Sequence, residues 1–495
     1  MTFLGIDIGT GSSKGVIVDH DGTVLRQARR DHVTANPQPG WFEHDAEQVW
    51  WADVVALSRE LLARNEEQVS AVCVSGIGPA VLVTDESDVP LRPAILYGID
   101  TRCARQAEEL NASIAEDRLM ERVGNPLSTQ SVGPKLTWIA DEEPDTWQRA
   151  RRMYSAPGWV VRRLTGEYAL DRYSASTSDP LYDLVRGEWW DEMWEPYAQL
   201  ERPRLAWPGE VVGEVSAEGA ESTGIPRGTP VTAGTIDALA EAYSAGCRAA
   251  GDTMIMYGST LFMIQVTDAM VPSRHLWAAE GRTSETFSLA AGMATGGLVT
   301  TWLSETLGQG YAELAAAAET VRPGSDGLLM LPYFAGERTP IFDPRARGAW
   351  AGLTLSHGPG HLYRSALEGV AMGVRHNLDA MRDSAAEARR LVAVGGGTAQ
   401  RLWTQVVCDV TGLPQDLPTL TVGASYGNAR LAADALGVDT TAWNPVAERL
   451  TPRDEAREIY QRLYELYVDG HRTLAGTMHA LGDIDRECRL RQPDA

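Results

Sequence analysis

Twice in this chain a β-branched apolar run enters a turn of glycine and hydroxyl residues and leaves it as a second such run. The first occurrence spans residues 6–18, with the turn Gly9-Thr10-Gly11-Ser12-Ser13, and the second spans 253–266, with the turn Gly258-Ser259-Thr260. This composition predicts a strand on each side of either turn. Restarting the same unit in the second half marks an internal duplication. At 495 residues the chain is too long for one ordinary core, so two domains are expected, divided near residue 245 after a helix over 238–244.

Helices alternate with the strands. After residues 3–8 and 16–18, Asp21-Gly22 reads as a hairpin turn into 23–28. A loop with Pro37, Pro39, Gly40 and Trp41 precedes a helix expected over 46–64. Strands are expected at 69–75 and 81–84, and helices at 103–111, 115–123 and 135–141. Late in the chain a strand at 392–394 meets Gly395-Gly396-Gly397 and a helix from Gln400. This order indicates α/β architecture. The expected organisation is a first domain over 1–245, a second over 246–480, and a charged, Arg-rich, loosely held tail over 481–495.

The formal net charge of -23 makes phosphodiester backbones and anionic lipids poor partners. The chain has only two lysines, Lys14 and Lys135, and no GxxxxGK[ST] loop, so P-loop lysine chemistry is excluded. Five scattered cysteines without CxxC spacing fit a reducing compartment and no zinc site. The N-terminus runs straight into a strand with no basic leader, and no apolar run is long enough to span a bilayer. A cytoplasmic enzyme or binding protein is the expected class.

Several positions carry chemistry. Backbone N–H groups and short hydroxyls of Thr10, Gly11 and Ser12 can hold phosphate oxygens without a lysine, although the turn also reads as a plain hairpin. Asp7, at the end of a buried strand beside it, suits an outer-shell Mg²⁺ partner or a turn cap. Gly258, Ser259 and Thr260 offer the same equipment in the second half. Asp237 follows a strand over 231–233 and a small-residue turn, and opens a helix. It reads either as an N-cap or as a base for an attacking hydroxyl. Trp41, Glu43 and Asp45, and likewise Asp100 and Arg102, combine groups that hold sugars, or form an acidic loop and a structural ion pair.

These residues stand in a known order. GIDIGTGSSKG at 5–15 resembles the first phosphate motif of the FGGY carbohydrate kinases, within the actin/Hsp70/sugar-kinase superfamily. GWFEHDAEQVWW at 40–51 and RPAILYGIDTRC at 92–103 resemble segments of its xylulokinase branch. KLTWIADE at 135–142 fits the first family signature, from which Val132 departs upstream. GAWAGLTLSHGPGHLYRSALE at 348–368 fits the second signature, accompanied by FAGERTP at 334–340. The resemblance runs from residue 3 to about residue 440.

The resemblance implies two RNase H-like α/β domains flanking a cleft, closing over MgATP and a small-molecule sugar. The first domain would bind the sugar and carry the first phosphate loop, and the second would bind ATP. By motif position, Asp7 matches the metal-associated aspartate, Thr10, Gly11 and Ser12 the first phosphate loop, Asp237 the catalytic base, and Gly258, Ser259 and Thr260 the second loop. Gly297 and Thr301 fall where ribose and phosphate are contacted, and Gly396 and Gln400 where adenosine is. Trp41, Glu43, Gly78, Asp100, Arg102 and Asp237 fall on the substrate side.

Sugar-reading positions depart from the pattern. The branch resembles G-Q-M-H-G where this chain has Ser75-Gly76-Ile77-Gly78-Pro79, and it has Asn where Ala238 follows the aspartate. The expected activity is ATP-dependent phosphorylation of a sugar hydroxyl, on a ketopentose with altered substrate-reading residues. A polyol or aldonate kinase is the alternative within the family, and a non-catalytic actin-like nucleotide-binding protein the alternative outside it. The oligomeric state stays open, a homodimer among the options.

Overall fold

All seven residues of the first strand, Thr2–Ile8 (β1), are buried. A strand covered on both faces lies inside its sheet, and the period of two shows what covers each face. Leu4, Ile6 and Ile8 join a core with Trp50, Leu57, Val72 and Val74, each such side chain contributing about 1.5–3 kcal/mol of burial. On the other face, Phe3 packs against Trp443 with ring centres 6.1 Å apart. Gly5 admits the helix Ala424–Ala435 at backbone contact, since a Cβ there would stand 1.9 Å from the Ser425 carbonyl oxygen.

The computed structural model describes residues 1–63 and 68–490. They form two units. The first comprises Met1–Ala250 with Val266–Ser288 and Val422–Pro445, and the second comprises Gly251–Gln265 with Leu289–Thr421 and the stretch from Val446 onward. Two segments from the C-terminal half therefore pack with the first unit, across the linear boundary expected near residue 245.

In the first unit β1 pairs antiparallel with Ser12–Asp19 (β2), and β2 with Val24–Asp31 (β3). On its other side β1 runs parallel to Val69–Gly76 (β4). Val211–Glu214 (β5) pairs antiparallel with Pro230–Thr232 (β6), and β6 runs parallel to β4. A two-residue strand, Thr235–Ile236 (β7), lies beside Ser75 and Gly76 at the end of β4. The helix expected over 46–64 is a wide π-helical turn, Ala46–Trp51, followed by Ala52–Leu62 (α1); Arg64 lies outside the described residues. Val132–Glu142 (α2) carries the first signature.

In the second unit Asp252–Tyr257 (β8) pairs antiparallel with Leu261–Thr267 (β9), which neighbours Phe287–Met293 (β10). Arg390–Val394 (β11) runs parallel to β8, Gln415–Pro418 (β12) parallel to β11, and Val446–Leu450 (β13) antiparallel to β12. The strand order β10-β9-β8-β11-β12-β13 repeats β3-β2-β1-β4-β6-β5 of the first unit. The duplication read from two turns thus extends across six strands of each seven-stranded sheet.

The tail expected to be loose over 481–495 is helical as far as Leu490, as the end of Asp454–Leu490; residues 491–495 lie outside the described residues. Tyr460, Leu463, Tyr464 and Tyr467 are its buried stripe, at helical spacing. Past that stripe Asp483 pairs with Arg345 at 2.8 Å and with Arg486 at 2.9 Å. Among the described residues no helix is long and apolar enough to cross a membrane.

Candidate active site

β1 and β4 run side by side with Asp7 opposite Ser75. Ser75 Oγ donates to Asp7 Oδ1 at 2.8 Å. From the helix Ala424–Ala435, Asn428 Nδ2 donates to Ser75 Oγ and to the Ile6 carbonyl, both at 2.7 Å. β7 ends at Ile236 and delivers Asp237 as the first residue of the helix Asp237–Ser244 (α3). The residue preceding the helix is Ile236, and the Asp237 carboxylate accepts from the adjacent Ala238 N–H at 2.7 Å. A capping side chain would accept from a residue two or three positions on, so the N-cap reading does not describe Asp237.

Three carboxyl groups share this place, Asp7 buried and Asp237 and Glu241 half-buried. Burial first, then the charges of Asp7 and Glu241, hold the Asp237 carboxyl well above the usual range, while the Ala238 N–H and Lys14 oppose the shift. Burial also raises Asp7, against the Ser75 hydrogen bond and Lys14. Glu241, one helical turn beyond Asp237, is pushed up to about 7 by burial and by Asp7. Like charges crowded out of water favour taking up a proton or a cation.

The turn Gly9–Ser13 joins β1 to β2. Gly9 N–H closes it by donating to the Ser12 carbonyl at 3.0 Å. Gly11 has open space where a side chain would be, and the Thr10 and Tyr97 hydroxyls meet at 3.2 Å.

The proposed sugar contacts form a closed network. Glu43 accepts from Arg92 and Arg102, both at 2.7 Å. Arg102 also pairs with Asp100 at 2.7 Å, both side chains wholly buried. Asp100 accepts the Phe42 N–H at 2.7 Å, and the Arg102 guanidinium stands 4.2 Å from the Trp41 ring centre. Of the two readings, the structural ion pair is the one these contacts match. Asp45 caps the turn after it, accepting from Glu47 and Gln48 N–H. Gly78 sits against Ile236, where a Cβ would stand 2.5 Å from Cγ1, so only its backbone can face a ligand. The next residue, Pro79, is held from behind by Lys135 of α2, whose Nζ donates to the Pro79 carbonyl at 3.2 Å and to that of Gln130 at 2.9 Å. Burial lowers the Lys135 ammonium to about 8.

In the second unit the glycine turns come together. Gly297 N–H donates to the Gly258 carbonyl at 2.8 Å, and Gly296 and Leu298 donate to that of Ser259 at 2.8 and 3.0 Å. Because β11 runs parallel to β8 with Val394 opposite Met256, the turn Gly395-Gly396-Gly397 lands beside Tyr257. Gly395 has φ +91°, and a Cβ there would stand 2.7 Å from the Tyr257 carbonyl oxygen. Thr301 accepts from the Tyr311 hydroxyl at 3.0 Å, and Gln400 donates to the Tyr363 hydroxyl at 2.8 Å. The FAGERTP segment braces this region, with Glu337 accepting from Ala294 N–H at 2.7 Å and Thr339 from Gly292 N–H at 2.8 Å. The second signature is scaffold. Its Glu368 accepts from Gly324 N–H at 2.9 Å and from Ser325 Oγ at 2.7 Å.

Sequence reasoning missed Glu241, Ser75, Asn428 and the anchoring by Lys135. Glu241 had a signal, since four residues after Asp237 on one helix places it on the same face. Asn428 had none, for its partners lie in strands more than 350 residues earlier.

Comparison with known proteins bears on both units. The N-terminal domain of the FGGY family of carbohydrate kinases matches residues 2–243, and its C-terminal domain matches residues 253–436. Xylulose kinase of Escherichia coli (strain K12) is 27% identical over 481 residues, covering 94% of this chain and 98% of that protein. Glycerol kinase of Nocardia farcinica (strain IFM 10152) is 32% identical over 462 residues, covering 87% and 89%. The crystal structure of xylulose kinase from Rhodospirillum rubrum matches with a TM-score of 0.90 at 32% identity, covering 97% of this chain and 100% of that one. The fold is α/β, with two RNase H-like domains of the actin/Hsp70/sugar-kinase superfamily. The chain belongs to the FGGY family of carbohydrate kinases, and it is a phosphotransferase of that kind.

Proposed function

We propose that this kinase transfers the terminal phosphoryl group of ATP to a hydroxyl of a ketopentose. The observation that carries the reading is the site that buried Asp7, at the end of β1, shares with half-buried Asp237 and Glu241 of α3, within the influence of Lys14. As the acceptor oxygen bonds to the γ-phosphorus, its proton passes to a carboxylate oxygen of Asp237. The bond from that phosphorus to the bridging oxygen breaks, and ADP leaves. Asp237 must be ionised to accept the proton, and Lys14 favours that form.

Among the described residues no three His, Cys, Asp or Glu side chains gather as metal ligands. Asp7, a buried carboxyl at the end of β1, would be the residue that holds a Mg²⁺ ion beside the phosphates. When bound, such an ion supplies positive charge to the phosphates and to the crowded carboxylates. Thr10, Gly11 and Ser12 in one unit, and Gly258, Ser259 and Thr260 in the other, are assigned to phosphate oxygens. Gly297 and Thr301 are assigned to ribose and phosphate, and Gly396 and Gln400 to adenosine. On the sugar side, Gly78 offers backbone, and the Trp41, Glu43, Asp100 and Arg102 network holds the loop that faces the sugar.

A second reading, a polyol or aldonate acceptor, is favoured by Pro79 and Ala238, which present no polar side chain. ATP consumption measured against ketopentoses, deoxyketoses, polyols and aldonates separates the two. A ketopentose leading the panel supports the first reading, a polyol or aldonate leading it supports the second, and no turnover with any acceptor contradicts both.

A further inference from the structure

Behind the turn Gly9–Ser13, on the side of α1, two histidines donate to the same carbonyl oxygen. His32 Nε2 stands 3.1 Å from the carbonyl oxygens of both Gly9 and Thr10, and its Nδ1 stands 2.7 Å from Asp53 Oδ2. Carbonyl and carboxylate oxygens only accept. Both ring nitrogens of His32 therefore donate, which requires the imidazolium. His44 is the opposite case. Its Nδ1 accepts from the Trp50 indole N–H at 3.1 Å and so is bare, and its Nε2 donates to the Thr10 carbonyl at 3.1 Å. Thr34 Oγ1 donates to the same oxygen at 2.6 Å. Asp53 Oδ2 also accepts from Ser13 Oγ at 2.7 Å. One carboxylate on α1 thereby holds the far end of the turn through Ser13 and the near end through His32.

We propose that His32 is a positioning residue for phosphoryl transfer: as an imidazolium bridging Asp53 to the Gly9 and Thr10 carbonyls, it fixes the Gly9–Ser13 turn in its phosphate-holding shape. This rests on reading that turn as a phosphate loop. The charged and titratable groups facing His32 are Asp53 from α1 and His44, with rings 5.1 Å apart. Burial lowers the His32 ring, but Asp53 and the two carbonyls outweigh it and the net direction is up. His44 is pushed down to about 4 by burial and by the charge of His32, in agreement with the two opposite charge states. The pair His32–Asp53 is neutral overall, so its effect is on shape. When the ring loses a proton, the one on Nδ1 stays with the charged Asp53. A bare Nε2 then faces two carbonyl oxygens, and the turn loosens. Nucleotide use should weaken as pH rises through the folded value of His32, which lies above the ordinary 6.5. In D53N the amide can donate to Nδ1, leaving a neutral ring with its proton on Nε2, still donating to the turn.

The test is imidazole ¹⁵N NMR of histidine-labelled protein, with His32 assigned by its loss in H32Q, together with steady-state kinetics of wild type, H32Q, D53N and G11V. The expected result is both His32 nitrogens protonated at pH 7. KM for ATP should rise roughly ten-fold in H32Q with sugar KM little changed, and its rise with pH should be absent in D53N. A neutral His32 at pH 7 overturns the proposal whatever the kinetics of the variants. If G11V raises KM for ATP and H32Q does not, the proposal fails while the phosphate loop stands. If neither variant changes it, both fall.

Discussion

The Lys135 ammonium, wholly buried, donates to the carbonyl oxygen of Pro79 at 3.2 Å. One of the chain's two lysines thereby holds the loop at Pro79, assigned above to the substrate side. K135M keeps the volume but leaves the Pro79 and Gln130 carbonyls without that donor. Unmade buried hydrogen bonds cost about 1–3 kcal/mol. A lower thermal midpoint is expected, with sugar KM raised more than ATP KM, as read by thermal melts and two-substrate kinetics.

The same lysine sets a pH dependence. Its folded value of about 8 lies below the ordinary 10.5. Between those values the unfolded chain binds more protons than the folded one, so the contribution of Lys135 to stability rises with pH across that window. Urea midpoints of wild type minus K135M should grow from pH 8 to 10. A constant difference would mean that Lys135 titrates normally.

Arg102 bridges Glu43 and Asp100 out of water. Removing one partner of a buried ion pair typically costs about 3–5 kcal/mol. R102M is expected to lose stability on that scale in urea titrations. A variant of wild-type stability with a raised sugar KM would instead make Arg102 a direct sugar contact.

How much of this was legible in the sequence varies by element. β1, β2, β8 and β9 were legible because buried strands and their glycine turns are local patterns, and the paired turns announced a duplication that the sheets carry further. Asp100 and Arg102 stayed open between ion pair and sugar contact, and Glu43 between sugar contact and an exposed acidic loop, because local sequence names the charges and not their partners. Residues 481–490 read as a loose tail from their charge. They are helical, continuing an apolar stripe that ends earlier and extending it by ion pairs such as Asp483 with Arg345. Asn428 reaches Ser75 only through tertiary packing.

Gly258 already places its Cβ position 3.1 Å from the Thr260 carbonyl oxygen. G258V adds branched bulk in the turn assigned to phosphate. KM for ATP should rise while sugar KM holds, and unchanged ATP kinetics would remove this turn from the nucleotide site.

Pro79 offers no N–H and Ala238 no side-chain amide. A fully hydroxylated D-xylulose set against them would leave hydroxyls unpaired, costing about one to two powers of ten each. In parallel kinetics with 1-deoxy-D-xylulose, D-ribulose, L-ribulose, erythritol and glycerol, D-xylulose should not have the highest kcat/KM. If it leads, both positions are tolerated differences in a plain xylulokinase.

The central claim is that Asp237 takes the acceptor hydroxyl's proton at a shared carboxylate site. D237N keeps the shape and removes the base. Sugar phosphate formation by D237N and wild type should be measured on the best acceptor of the panel, with ATP affinity determined by calorimetry on the same preparations. The account predicts turnover lower by ~10²–10⁴-fold with ATP affinity within a few-fold. Turnover within a few-fold of wild type would contradict it.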